Sequence, residues 1–391
     1  MKDVDWISNL RIRASYGVNG TLPSSNYGWR SLTSYGNKYM TAPGGALSTV
    51  ADKNLSWETN YTANVALEFG FWNQRLTGTV EFFNRDSEDL LQNVPISTVT
   101  GFSSTLKNVG SINNKGVEIE LAGDIIRTKE VTWDASITAS FLKSSVTELY
   151  GGQDIIWEDP TGSDSRAQYI YREGCSTLAF YGYEWAGVDP QNGKNMYYSN
   201  NKNKDTELNG RNVVYDYADA AYTIIGDATP DVYGGINTSV SWKGINVGLN
   251  FIYKLGGHMY DGAAKDVNDD GYYWERVRSQ YACDNRWKEV GDITDVPLVR
   301  GTDLEDSMEY TSRHLHSANF LRLKTLSIGY TFPKDLVKKI GLANARVYFN
   351  GTNLLTWAAY DEVDPEVNTY GTRGWETPYG KTYTFGLEFT F

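Results

Sequence analysis

The 391-residue sequence predicts an all-β fold, an antiparallel up-and-down meander of about twelve strands belonging to a larger transmembrane β-barrel. Three observations carry that prediction. The C-terminal residues alternate between an apolar and a polar face, the same alternation recurs along the chain, and the links between strands alternate strictly between short and long. Successive side chains of a strand point to opposite faces, so this pattern marks strands lying between two different media. In a membrane barrel those media are lipid and a polar lumen.

The strands fall at about 9–17, 57–71, 75–86, 115–126, 131–149, 177–187, 195–199, 232–242, 245–256, 318–332, 345–355 and 381–391. Clear alternations are Tyr61/Ala63/Val65/Leu67/Phe69, Val131/Trp133/Ala135/Ile137/Ala139/Phe141 and Ile245/Val247/Leu249/Phe251/Tyr253, each interleaved with polar or small residues. In the last strand Tyr383, Phe385, Leu387, Phe389 and Phe391 share one face, opposite Thr382, Thr384, Gly386, Glu388 and Thr390. A terminal strand ending on Phe resembles the signal by which the outer-membrane barrel assembly machinery recognises its substrates. Short links are expected at 72–74, 127–130, 188–194, 243–244 and 333–344, and long ones at 18–56, 87–114, 150–176, 200–231, 257–317 and 356–380. That order places every short turn on one rim, as in outer-membrane barrels with short periplasmic turns and long extracellular loops. Lys243-Gly244 suits a tight hairpin, and Pro333 suits the start of one or two helical turns.

Composition agrees. Hydrophobic residues make up 40%, mean hydropathy is −0.46, and no apolar run is long enough for a membrane helix. Barrel strands hide their hydrophobicity in alternation. Aromatics reach 14%, with 28 Tyr and 12 Trp. Trp57, Trp72, Trp133 and Trp242 sit at strand ends and read as an interface girdle. The net charge of −12 argues against a nucleic-acid partner, which requires a basic patch. Cys175 and Cys283 have no metal or CxxC spacing and read as unpaired thiols. The first residues lack the apolar core and small-residue cleavage site of a signal peptide, so the expectation is a piece of a longer protein.

The candidate sites are few. Asp266, Asn268 and Asp270, followed by Gly271, match the first half of a calcium loop, but position 12 is Val277 and not Glu. An Asx-rich turn is the preferred reading, with Ca2+ as the only cofactor alternative. His314-Leu-His316 reads as a solvated pair, since His258 is the one further histidine. Glu68, Glu81, Glu118 and Glu120 occupy the polar strand face and read as lumen wall, not as a catalytic pair; no nucleophile, Walker or dinucleotide motif points to an enzyme. Trp29, Tyr35, Tyr39, Trp157, Tyr272, Tyr273, Trp274 and Trp287 lie in long loops, where aromatic faces suit sugars or peptides.

Several motifs converge on one family: Asn108-Val-Gly-Ser-Ile-Asn-Asn-Lys-Gly-Val-Glu-Ile-Glu-Leu121, Ile225-Gly-Asp-Ala-Thr-Pro230 with Gly234-Gly235, and Arg286-Trp287 with Gly291-Asp292 and Pro297. Phe320-Leu-Arg-Leu-Lys324, Asn353-Leu-Leu-Thr356 and Asp364-Pro-Glu366 continue the series. In this order they resemble the C-terminal part of SusC/RagA-type TonB-dependent transporters of Bacteroidetes, which import glycans and peptides. The resemblance implies a 22-stranded, plugged barrel in the outer membrane, with signal peptide, TonB box, plug and first strands lying outside residues 1–391. It also implies two partners, a SusD-like surface lipoprotein and the TonB complex. Two rival readings are a passive outer-membrane porin and a secreted carbohydrate-binding β-sandwich.

Overall fold

The computed structural model of the protein describes residues 5–160, 167–200, 204–268, 271, 276–299 and 310–391. The alternating segments form one ten-stranded sheet: β1 (Ile7–Thr21), β2 (Glu58–Phe71), β3 (Leu76–Glu88), β4 (Ser111–Arg127), β5 (Val131–Glu148), β6 (Val232–Trp242), β7 (Ile245–Leu255), β8 (Phe320–Thr331), β9 (Asn344–Ala358) and β10 (Thr382–Thr390). Neighbours follow chain order, and each adjacent pair is antiparallel. β1 and β10 are the two edges, so the sheet is an open wall.

Register carries the alternation from strand to strand. Ile12, Leu67, Val80 and Ile119 form one cross-strand row, and Val65, Phe82, Val117 and Phe141 another. Farther along, Leu121, Ile137, Ile236 and Phe251 align, then Val247, Ile328, Phe349 and Phe385. Among the described residues no second layer covers this face: Val65 and Phe82, on interior strands, are each more than half exposed. The other face is polar, with Arg13 bonded to Glu81 at 2.9 Å and Arg11 ion-paired with Glu68.

The tight links are tight for a local reason. Lys243 (φ 47) and Gly244 (φ 90) both take the left-handed conformation that a two-residue hairpin requires. A Cβ on Gly244 would also meet the Thr331 carbonyl at 2.5 Å. After β8, Lys334–Val337 forms the helical turn expected behind Pro333.

The strand count needs correcting from about twelve to ten. The segments expected at 177–187 and 195–199 are strands, but Ala179–Tyr183, Trp185–Val188 and Asn195–Tyr198 lie in two small four-stranded sheets within the β5–β6 connection. Alternation reports that a strand has two unlike faces, and here the apolar side faces a core among the loops. Both segments belong to one connection, so the rim pattern survives their removal. Short links at 72–75, 128–130, 243–244 and 332–343 end one rim, while 22–57, 89–110, 149–231, 256–319 and 359–381 end the other. The link at 188–194 belongs to the long-loop side.

That loop core is the compact interior of the chain. Tyr169, Phe180, Tyr260, Ala167 and Ala228 are buried together, with Trp157, Leu178, Ile225, Leu315 and Tyr370 packed around them. Three connections contribute, and polar contacts tie them further: Tyr169 donates to the Tyr370 carbonyl at 2.7 Å, and Thr372 donates to Asp159. His258–Asp261 pairs with Leu315–Ser317 on one side and runs parallel to Thr372–Arg373 on the other. Phe180→Ala should cost about 3–5 kcal/mol of loop-body stability. Limited proteolysis should then cut within 149–231 while the ten-stranded sheet stays protected; simultaneous loss of the sheet would show that sheet and loop body are not separable.

Candidate functional site

The connections 256–319 and 359–381 enclose a cavity of about 630 Å³ on the long-loop rim. Its aromatic lining is Tyr281, Tyr360 and Trp375, and its charged lining is rich in carboxylates. Tyr360 stacks flat on His316, with centroids 3.7 Å apart and planes 2° from parallel, and donates to Asp261 at 3.2 Å. Burial, and next the Asp261 charge, push the Tyr360 hydroxyl far above its ordinary range. Tyr281 stands on the short helix Gln280–Asn285, capped by Ser279, and donates to Asp295 at 2.8 Å. Burial and Asp295 push its hydroxyl up to about 12. Both phenols are therefore neutral hydroxyl groups beside carboxylates, which suits hydrogen bonding to a polar ligand over an aromatic surface.

Behind this wall lies a buried charged layer. Asp261 is buried and caps the helix Gly262–Val267 by accepting from Ala264 N at 2.9 Å. Arg313 bridges the two halves of its connection, donating to the carbonyls of Asp295 (3.1 Å) and Asn268 (2.8 Å). The histidines depart from the solvated pair expected. His314 is only 3% exposed, and burial, with Arg313 and Lys265 adding to it, holds its pKa well below the ordinary 6.5. Burial lowers His316 as well, against the opposing pull of Asp261. The 3-10 turn Ser312–His314 breaks the extended geometry on which the solvated reading rested.

The last connection is pinned by an ion-pair cluster. Arg322 on β8, 2% exposed, bonds Glu366 at 2.8 Å, Thr356 at 3.1 Å and Asp364; Lys324 bonds Glu366 at 3.0 Å. Burial raises the Asp364 pKa, but the Glu366 N–H, the Arg322 guanidinium and the Tyr379 N–H together outweigh it and hold the carboxyl below its usual value. The Asp364-Pro-Glu366 motif is thus the clasp that holds the cavity's far wall to the sheet.

Of the aromatics singled out in the sequence, those among the described residues lie elsewhere. Trp29, on the first connection, is partly exposed with Arg30 stacked over it at 4.7 Å, and Tyr35 is exposed on the hairpin Thr33–Tyr39/Ala42–Leu47, where Tyr39 pairs with Ala42. Trp157 stacks on Tyr169 at 4.4 Å within the loop core. Trp287 is 9% exposed and donates to the Pro190 carbonyl at 3.1 Å, its ring seated over Gly193. Tyr272, Tyr273 and Trp274 lie outside the described residues. Sequence reasoning missed Tyr281, Tyr360 and Trp375, whose one signal was an aromatic ring in a long loop.

Of the calcium-like residues, Asp266 is helical and ion-paired with Arg276 at 2.7 Å, Asn268 accepts from Ser279, and Asp270 lies outside the described residues. Among the described residues no group of three His, Cys, Asp or Glu side chains is placed to hold a metal. Cys175 and Cys283 are both free thiols.

Residues 3–354 match the family described as TonB dependent receptor-like, beta-barrel. The chain belongs to that family. Across its full length it is 29% identical to TonB-dependent receptor P3 of Formosa agariphila and 26% identical to TonB-dependent receptor SusC of Bacteroides thetaiotaomicron, spanning 40% and 38% of those proteins. It superposes on the structure of the RagAB peptide transporter with a TM-score of 0.81 at 29% identity, covering 100% of this chain and 42% of that one. This TonB-dependent receptor barrel sequence therefore spans about two-fifths of the length of the relatives it matches.

Two outcomes follow for the site. Arg322→Met leaves Asp364 and Glu366 without their buried partner and should destabilise the 359–381 connection by about 3–5 kcal/mol, read as faster hydrogen exchange there. The acid response has a definite sign. The two histidines have depressed folded pKa values, so their contribution is complete above about pH 6.5 and is lost as pH falls from that unfolded value through the lower folded ones; Asp364 adds a second loss below about pH 4. Protection of 256–319, corrected for intrinsic exchange, should drop between pH 7.5 and 5.5. A flat profile would show that these imidazoles are not held neutral.

Proposed function

We propose that the protein is the wall and loop portion of a TonB-dependent importer of oligosaccharides or peptides in a Gram-negative outer membrane, Bacteroidetes-like. The observation that carries this reading is the uncovered apolar face, continuous over ten strands, with every long connection at one end of the sheet. Such a face needs lipid, and its backbone groups are satisfied there by sheet pairing. Exposed tryptophans flank the face, Trp72, Trp133 and Trp242 near the short links and Trp57 and Trp357 near the long ones, as an aromatic belt at each interface requires.

Family membership supports an energised importer over a passive pore. In this reading the cavity under Tyr281, Tyr360 and Trp375 forms part of the substrate's entry path. A SusD-like lipoprotein is the partner above the loops, TonB acts through segments beyond this sequence, and the barrel assembly machinery reads the Tyr383–Phe391 strand.

The deciding experiment is uptake by cells carrying the full-length gene, supplied with mixed oligosaccharides or mixed oligopeptides. Uptake should vanish when tonB is deleted; uptake that persists would mean a passive pore. Ile119→Arg, in the middle of the apolar face, should cost about 2–4 kcal/mol and reduce heat-modifiable barrel in the outer membrane, whereas Glu120→Arg on the opposite face should be tolerated. Changing Phe389 and Phe391 to Ser should lower the yield of assembled barrel; wild-type yield would remove the assembly role from this strand.

A further inference from the structure

The outward face changes character abruptly at one place. On β3, β4 and β5 the row after Phe82, Val117 and Phe141 is Asn84, Lys115 and Lys143, joined directly in register. Like charges directly opposite on one sheet face repel. Among the described residues neither lysine has an ion-pair or hydrogen-bond partner. The nearest acid on that face, Asp86, is one row higher and engaged by Asn84 and Asn113, each at 2.6 Å. At about 3.3 Å per residue and a tilt of about 40°, the stretch from Val131 to Lys143 rises about 30 Å, just past an apolar band about 25 Å tall. The lysine pair therefore stands at headgroup level on the long-loop side.

A cavity of about 570 Å³ opens at this row. Lys115 and Lys143 line it beside Val117 and Phe141, and Asp227 and Asp231 line it from the β5–β6 connection. Asp227 is engaged by Ser176 Oγ (3.0 Å) and Thr229 N (2.8 Å). The site is bipolar, cationic on the sheet and anionic on the loop, with apolar side chains at its membrane end. A purely anionic ligand would meet the two carboxylates, and a purely cationic one the two ammonium groups.

We propose that this cavity binds the headgroup of an outer-leaflet lipid carrying a phosphate next to a primary amine, phosphoethanolamine being the simplest such group. The phosphate bridges Lys115 and Lys143 and relieves their repulsion, the amine turns to the Asp227/Asp231 wall, and the acyl chains descend over Val117 and Phe141. The inference rests on the membrane reading above and adds a specific lipid site to it.

Native mass spectrometry of the full-length transporter, released from micelles doped with phosphatidylethanolamine or phosphatidylglycerol, tests it. The wild-type protein should retain one phosphatidylethanolamine at least tenfold more often than phosphatidylglycerol. The K115Q/K143Q variant, checked for heat-modifiable folding, should lose that adduct by tenfold or more, and D231N should erase the preference between the two lipids. Millimolar inorganic phosphate should not displace the lipid; displacement would make this a free-phosphate site. Equal retention by wild type and K115Q/K143Q overturns the proposal while leaving the membrane reading intact. A wild-type protein that stays monodisperse without detergent overturns both.

Discussion

Everything in this structure depends on side-chain parity being kept across the whole sheet. A slip of one residue in any ladder would turn a strand's apolar set onto the polar face, so each register is fixed by its neighbours. Where parity changes, a bulge marks the spot. The ladders of β8 shift on both sides of Lys324, against β7 at Asn250/Phe251 and against β9 at Leu323/Thr325. On β8 the outward series runs Leu321, Leu323 and then Leu326, Ile328, Tyr330, with Lys324 and Thr325 consecutive between them. Asn353, opposite the shift on β9, takes a left-handed conformation (φ 53). An extra residue in one strand bends it and raises the local twist.

The same bulge lies beside the clasp of the last connection. Arg322 and Lys324 stand on the polar face next to it, and both reach the Asp364-Pro-Glu366 turn. Taking a guanidinium and two carboxylates out of water is costly, and an apolar replacement of equal shape would hold the loop as well or better. What the ion cluster adds is position, since only one placement of the turn satisfies three directional partners. The cavity wall carrying Tyr360 and Trp375 is aligned with the sheet by that placement.

How much of this was legible in the sequence follows from the range of each interaction. The ten wall strands were readable because alternation is local and lipid-facing strands repeat it for ten or so residues. The break at Lys324-Thr325, two polar residues in a row, is likewise visible in the sequence. The strands Ala179–Tyr183 and Asn195–Tyr198 were readable as strands but not as loop strands, because a period of two does not say which apolar medium lies beyond it. The site was least legible. Trp157 and Trp287 look like surface aromatics in a linear reading, yet Trp157 is half-buried on Tyr169 and Trp287 is buried over Gly193 with its N–H on the Pro190 carbonyl. Tyr360 becomes part of a cavity through His316, which lies 44 residues earlier by number, and no local pattern encodes that pairing.

The wall and the loop body solve different burial problems with similar residues. On the wall, large apolar side chains stay exposed to the surroundings and the sheet needs only one ordered layer. In the loop body, Tyr169, Phe180 and Tyr260 are withdrawn from any solvent, and their core is built from three distant connections. Such a core pays a closure entropy that grows only slowly with loop length, so an 83-residue connection such as 149–231 can afford its own sheets. Once packed, it does for the rim what parity does for the wall. It converts long, unpatterned connections into fixed surfaces, and it leaves the first connection, with its exposed hairpin and Trp29, outside that body. Among the described residues the rim is therefore asymmetric: a packed body stands over β5–β10, and a separate hairpin, outside that body, stands over β1–β2.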